Sequence, residues 1–379
     1  MTESQLKVFR SLPAAFAALL AISGCSASGY SAATSGGSLV PAAREVSDVA
    51  ADVSILKLLK KQSVIGSAID PVNGAQNPYG LTVAPTTTGS LTKGDLVICN
   101  FNAKSNVQGT GRSIVALHPV ADATPTHISA LSSLKGCDAL ALDPGGVIWA
   151  AAMVADDNPV IDASGNLITN IKGKPFTQPW GQVYAQPKSG SAAFYETNAG
   201  NGSVVRINLG SKFTFDVIAT GFPVNHGKPG TALAPSGLAY DPNLDTLYFA
   251  DGMNDTVVAF KNVSAIPAGG IKAKSNGMQF SGPNAADARI VFAGVPLNGP
   301  ISTALLPNGN LIVGNTLDQS GKNLLIEVAT ASGKVLDVRN VDTGAAGALF
   351  GIVATGTKNS NTKIYFNDDN DNNVQVLER

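Results

Sequence analysis

Short oxygen-bearing side chains border many apolar runs of this 379-residue sequence: Asn100, Asp138, Asn198, Asp251, Asn254, Asn315, Asn367 and Asp368. Brought to one place, such groups hold a cation or hydrogen-bond a ligand. Kept within their own turns, they bond the local backbone instead. The residues alone leave both readings open. Three histidines, His118, His127 and His226, are the obvious candidates for a zinc centre. His118 and His127 share one stretch between apolar runs, and His226 sits among glycines and prolines at 221–230, so all three read as loop residues. Asp369, Asp371 and Asn373 alternate as in a calcium loop, but Val374 stands where such a loop needs Gly. That run is read as a hairpin. Neither a Gly-x-Ser-x-Gly elbow nor a phosphate loop is present.

The elements that would position these groups repeat. The clearest copy runs Pro235-Ser236-Gly237-Leu238-Ala239-Tyr240-Asp241-Pro242, then Thr246–Asp251, then Val257–Phe260. These are three short strands with Asx-rich turns between them. Looser copies open at Gly80, Ala139, Gly181, Ser302 and Gly351. With Gly237, the six openings are 59, 42, 56, 65 and 49 residues apart, close to a propeller blade with loop insertions. Charged residues make up only 14% and the net charge is −1. That composition excludes a coiled coil and offers no positive field for nucleic acid.

The repeat resembles the NHL family over roughly residues 60–379, and the resemblance implies an all-β, six-bladed β-propeller. The last copy is written with three strands, so an N-terminal strand at Gln62–Ser67 is expected to close the last blade. Val49–Lys61 is expected to form a short helix, with Ile55, Leu58 and Leu59 on one face. In such a ring the first strand of each blade starts, and the second ends, at one rim. That rim would gather Asn100, Asp138, Asn198, Asp251, Asn254, Asn315 and Asp368. The 221–230 segment carrying His226 would lie over the channel mouth. Tyr79, Trp180 and Phe350 would ring that mouth, either as ligand contacts or as packing between blades. Trp149 and Phe249 read as inter-blade core.

Two enzyme families share this architecture. The gluconolactonase- and paraoxonase-like hydrolases place calcium ligands just before the Gly that opens each inner strand. Here those positions hold Tyr79, Asp138, Trp180, Ser236, Ile301 and Phe350. One carboxylate binds Ca²⁺ poorly. The amidating lyases hold zinc through several His, which the three here do not match. No cofactor is therefore expected, with Ca²⁺ the one cation left open.

Residues 1–24 have the anatomy of a secretory signal: Lys7 and Arg10, then an apolar stretch at Ser11–Ile22, too short to span a bilayer. Ile22-Ser23-Gly24-Cys25 resembles the bacterial lipobox, which implies lipidation of Cys25. Ser26 after the Cys resembles an outer-membrane destination, facing the periplasm, in a Gram-negative cell. Residues 25–48 read as a Ser/Ala/Gly-rich tether and 49–379 as the propeller. Two cysteines remain, Cys99 and Cys137, at one rim of adjacent blades; a disulfide and two buried thiols both fit. The expected function is a monomeric, lipid-anchored binding or scaffold module of the cell envelope. It would take a small molecule or an envelope protein, bind no nucleic acid, and touch the membrane through its anchor alone. The alternative is a divergent metal-dependent propeller hydrolase or lyase.

Overall fold

The computed structural model describes residues 53–316 and 322–379. The signal segment, the tether and Cys25 lie outside the described residues. Strand β1 (Lys61–Ser67) precedes five blades that follow one another in chain order. The first holds β2 (Gln76–Val83), β3 (Leu96–Asn102), β4 (Ser113–Leu117) and β5 (Thr126–Ala130). The second holds β6 (Cys137–Leu142), β7 (Ile148–Ala152), β8 (Asp157–Ile161) and β9 (Leu167–Lys172). The third opens with β10 (Pro179–Ala185), β11 (Ala193–Asn198), β12 (Ser203–Asn208) and β13 (Thr214–Thr220). The fourth holds β14 (Pro235–Asp241), β15 (Thr246–Asp251) and β16 (Thr256–Phe260). Its outer strand, β19 (Ala288–Ala293), comes only after β17 (Ile271–Ala273) and β18 (Phe280–Ser281). The fifth holds β20 (Pro300–Leu305), β21 (Leu311–Asn315), β22 (Asn323–Val328) and β23 (Val335–Asp342). The sixth holds β24 (Leu349–Thr355), β25 (Lys363–Asp368) and β26 (Asn373–Glu378), with β1 as its fourth strand.

Each innermost strand touches the innermost strand on either side, and β24 touches β2, so the chain forms a closed six-bladed β-propeller. The seam is antiparallel, from Lys61 opposite Glu378 to Ser67 opposite Asn373. Gly66 is required there, because a Cβ would lie 2.1 Å from the Ala123 carbonyl oxygen of the first blade. Apolar faces of neighbouring blades interdigitate to make the core. Trp149 stacks on Phe194 at 4.3 Å between the second and third blades, and Phe249 packs between the third and fourth.

The segment before β1 differs from the expected helix: among the described residues it makes one 3₁₀ turn at Leu56–Leu58. Beyond the two bonds of that turn, its backbone groups find partners in the fifth blade. Glu327 accepts the Ile55 and Leu56 amides and the Ser54 hydroxyl, while Arg339 donates to the Leu56 and Leu59 carbonyls. Ile55, Leu56 and Leu59 are fully buried against the fifth and sixth blades. The connection after Phe260 is likewise structured. β17 pairs in parallel with β13, extending the third blade to six strands. Arg206 fixes this strap, donating to the Ser264 and Ile266 carbonyls at 2.7 and 3.0 Å and to Asp216 at 2.7 Å.

Candidate functional site

All six innermost strands slip register against their neighbours at the same height, between Pro78/Leu81, Cys137/Ala139, Pro179/Gln182, Pro235/Leu238, Pro300/Ser302 and Leu349/Ile352. A bulge re-aims the side chain it carries. The ring of bulges places Tyr79, Asp138, Trp180, Ile301 and Phe350 around the channel, while Ser236 is buried and donates to the Ala250 carbonyl. The glycines behind them answer to close approach: a Cβ on Gly181 would sit 2.3 Å from the Ser236 carbonyl oxygen, and one on Gly351 2.4 Å from that of Tyr79.

At the loop-rich rim these residues form a plug. Tyr79, Trp180, Ile301 and Phe350 are buried with Phe101 and Met153, and only ≈ 20 Å³ of void remains among them. Tyr79 stacks on Phe350 at 3.7 Å and on Phe101 at 4.1 Å. Burial, followed by the nearby Asp369 and Asp138 charges, pushes the Tyr79 phenol well above its usual range. The 221–234 segment crosses this plug, packing Ala232 and Ala234 on it and bringing Pro229 and Gly230 against Gly109 and Gln108 of the first blade. Asn225 staples the segment, accepting from the Gly227 and Leu233 amides at 2.9 and 2.8 Å. The aromatics named from sequence are therefore packing, and they close the mouth they were expected to line.

The rim Asx residues are equally occupied. Asn100 donates to the Ala68 carbonyl at 2.9 Å, and Asn198 accepts from the Thr177 amide at 3.0 Å. Asp251 accepts from the Met253 amide at 3.0 Å and from Asn254 at 2.6 Å. Asn315 donates to the Pro296 carbonyl and accepts from the Asn298 amide. Asp368 accepts from the Asn370 amide and from Gln375, while Asn367 ties the sixth blade to the Tyr79 and Gly80 carbonyls. Except for half-buried Asn254, these side chains are buried. Most of their polar atoms serve turns and blade junctions, with Oδ1 of Asn100 and of Asn367 left unpaired, so the ring expected to face a ligand is largely a structural one. Burial pushes the carboxyls of Asp251 and Asp368 up to about 6.

His118 and His226 are exposed loop residues, as expected, whereas His127 is not. His127 lies on β5 with Nδ1 2.8 Å from buried Asp70, and His118 is 2.8 Å from buried Asp95. Among the described residues, no three His, Cys, Asp or Glu side chains form a metal-binding group. Cys99 and Cys137 are paired as a disulfide between the first two blades, with Cα atoms 5.6 Å apart.

Besides an open concavity of ≈ 510 Å³ at the strap, lined by Met278, Phe280 and Arg289 among others, two concavities adjoin the propeller axis. A cleft of ≈ 530 Å³ lies on the loop-rich face beside the plug, lined by Met153, Val154, Asp156, Gln178, His226 and Pro229 among others. Asp156, Gln178 and His226 hold φ of 58°, 48° and 51°, a left-handed backbone that non-glycine residues rarely adopt. The Asp156 carboxylate fixes this corner by accepting the Gln178 amide at 2.6 Å. The second concavity is the channel itself, blind at the plug. Asp138 lies at its neck with both carboxyl oxygens fully buried. Burial is the main cause that drives its carboxyl well above the carboxylate range. The neighbouring amides of Asp138, Ala139 and Met153 and the charge of Glu196 are lesser influences, the amides opposing the shift.

No family model matches the sequence, and no curated protein matches it closely enough to count as a relative. Solved structures do match in shape. A chain of the nidogen/laminin complex aligns with a TM-score of 0.52 at 16% identity, over 75% of this chain and 87% of that one. Virginiamycin B lyase from Staphylococcus aureus aligns with a TM-score of 0.50 at 13% identity, over 84% of this chain and 98% of that one. At these identities the likeness shows the propeller fold alone.

Proposed function

We propose that this protein is a lipid-anchored binding module of the cell envelope that takes a small molecule at its loop-rich face. The observation that carries this reading is the cleft of ≈ 530 Å³ beside the sealed mouth. Its size suits a small ligand, and it mixes apolar walls (Met153, Val154, Pro229) with a few polar groups (Asp156, Gln178, His226). Three strained non-glycine residues at one cleft are the kind of local cost that persists where a binding geometry is being held. The lipobox-like sequence ending at Cys25 supports the anchor.

A ligand-observed NMR screen with a library of neutral and charged heterocycles tests the reading on the mature chain. Hits should be lost on Val154→Trp, which fills the cleft from its half-buried wall, and weakened by His226→Asn, which tolerates the left-handed backbone. Hits that survive both changes would place binding elsewhere. Elemental analysis runs beside it. Stoichiometric Ca²⁺ or Zn²⁺ kept through purification would favour a divergent propeller hydrolase or lyase instead.

A further inference from the structure

The cleft beside the plug is framed by four segments, and each carries one exposed cation. Arg112 follows Gly111, whose carbonyl accepts the Gly136 amide at 2.7 Å. Lys135 precedes that Gly136, and its own carbonyl accepts the amide of Ala155 at 2.9 Å, between the lining residues Val154 and Asp156. Lys174 lies on the segment that leads into Thr177 and Gln178, and Lys228 immediately precedes Pro229. All four cations are exposed, and among the described residues none of them makes an ion pair.

Negative charge is scarce in the same sector. Asp156 is the single carboxylate in the lining, and one of its oxygens already accepts the Gln178 amide. Asp157 is offset by Lys172 at 3.1 Å. Glu196, near enough to Asp156 to feel its charge, is buried and pushed up to about 8, chiefly by that burial, so near pH 7 it is mostly protonated. In the fourth blade, Asp251 serves its own turn and Asp255 accepts the Gly299 amide. The acidic run Asp368–Asp371 stands on the sixth blade, on the other side of the plug. The lining itself is rich in donors: the Gln178 side-chain amide, the His226 ring and the Thr177 hydroxyl. That hydroxyl accepts from Asn201 at 3.5 Å, which leaves its own proton to give. Four cations against one carboxylate put a positive field over a concave, partly apolar surface, and low-dielectric walls focus such a field.

Given that the cleft is the binding site proposed above, we infer that it selects an organic anion: a carboxylate, sulfonate or phosphate on an apolar body. The anionic group would take hydrogen bonds from Gln178, Thr177 and His226 within the field of the four cations. The apolar body would lie on Met153, Val154 and Pro229. Asp156 acts here as a positioning residue, since its carboxylate holds the Gln178 backbone amide at 2.6 Å.

The probes are 1-anilinonaphthalene-8-sulfonate and N-phenyl-1-naphthylamine, which share one ring system and differ by the sulfonate. They are titrated by fluorescence against the full mature chain carrying Cys25→Ser, which dispenses with detergent. Only the signal lost on Val154→Trp is assigned to the cleft. There the sulfonate should bind about tenfold or more tightly than the neutral amine. Its affinity should fall as salt rises from about 0.02 to 0.3 M, while that of the neutral amine should not. Arg112→Gln, Lys135→Gln and Lys228→Gln combined in one variant change only exposed side chains. That variant should weaken the sulfonate about tenfold and leave the neutral amine unchanged. A sulfonate no tighter than the neutral amine, or one that the triple variant still binds in full, overturns the charge preference and leaves the cleft standing. Two signals that are both indifferent to Val154→Trp remove the cleft as the binding site, and this inference with it.

Discussion

Tyr79 and Phe350 stack at the channel mouth with ring centroids 3.7 Å apart and planes inclined by 20°. They belong to the first and last blades, so their contact also spans the seam where the ring closes. With Trp180 they belong to one buried cluster. Truncating either Phe350 or Trp180 to Ala should destabilise the fold by about 3–5 kcal/mol, the usual range for a buried aromatic. Urea unfolding monitored by circular dichroism measures this. A loss below about 1 kcal/mol would mean that the ring rests on the surface and not in a plug.

The Cys99–Cys137 bond joins two adjacent blades across a sequence separation of 38 residues. Closing a loop of that length stabilises by about 3–4 kcal/mol, mainly through the unfolded chain. Thiol titration of the denatured, unreduced protein should find both sulfurs blocked. The Cys99→Ser/Cys137→Ser double variant should lose about that stability. Two reactive thiols in the wild type would show that the pair stays reduced.

The architecture was legible where the chain repeats itself. Ser236-Gly237 and Phe350-Gly351 carry a visible signature, because a bulge at the crowded inner strand asks for Gly. The closing strand was also visible, since the last copy is written with three strands and Gln62–Ser67 precedes the first copy. The outer strands were not. β9 and β23 lie half exposed at blade edges, so no apolar period marks them. The strap at β17 and β18 was hidden because Arg206 of the third blade holds it through the Ser264 and Ile266 carbonyls, a distant contact that no local pattern encodes. At the site, the sequence pointed to the right positions with the wrong roles. Asx residues at strand ends look alike whether they face a ligand or cap a hairpin, and only burial separates the two. The cleft beside the plug drew on Met153, Asp156 and Gln178, which the repeat pattern left unmarked.

The anchor rests on Ile22-Ser23-Gly24-Cys25 and is open to direct test. Cys25→Ser should move the protein from the detergent phase to the aqueous phase in a detergent-partition assay, because the acyl chains supply the membrane affinity. Equal partitioning of variant and wild type would remove lipidation from the account.

Glu327 joins two distant parts of the chain. Its carboxylate accepts from the Ser54 hydroxyl at 2.7 Å, the Leu56 amide at 2.7 Å and Asn310 at 2.9 Å. Glu327→Ala would take their partner from the buried Ser54 hydroxyl and Leu56 amide and should cost about 3–5 kcal/mol. The damage should be local first. Hydrogen exchange at Ile55 and Leu56 should quicken before exchange in the inner strands does. Uniform acceleration across all six blades would instead assign Glu327 to the global core.

Glu196 is fully buried between the second and third blades, held by Gln182 at 3.0 Å and Asn158 at 3.4 Å. Burial pushes its carboxyl from 4.5 up to about 8, with the two amides opposing the shift. The folded pKa lies above the unfolded one, so the folded protein binds the extra proton. The stabilisation linked to that proton is complete below about pH 4.5 and is lost progressively as pH rises to about 8. Asp251, Asp368 and Asp369, each raised to about 6, act in the same sense over a lower window. Their share is shared by wild type and variant, so Glu196→Gln isolates the one group. Relative to wild type, this variant should gain stability steadily from pH 4.5 to 8 and hold a constant difference above that. Chemical denaturation at a series of pH values provides the curve. A difference that does not vary with pH would mean that Glu196 carries the same protonation in both states.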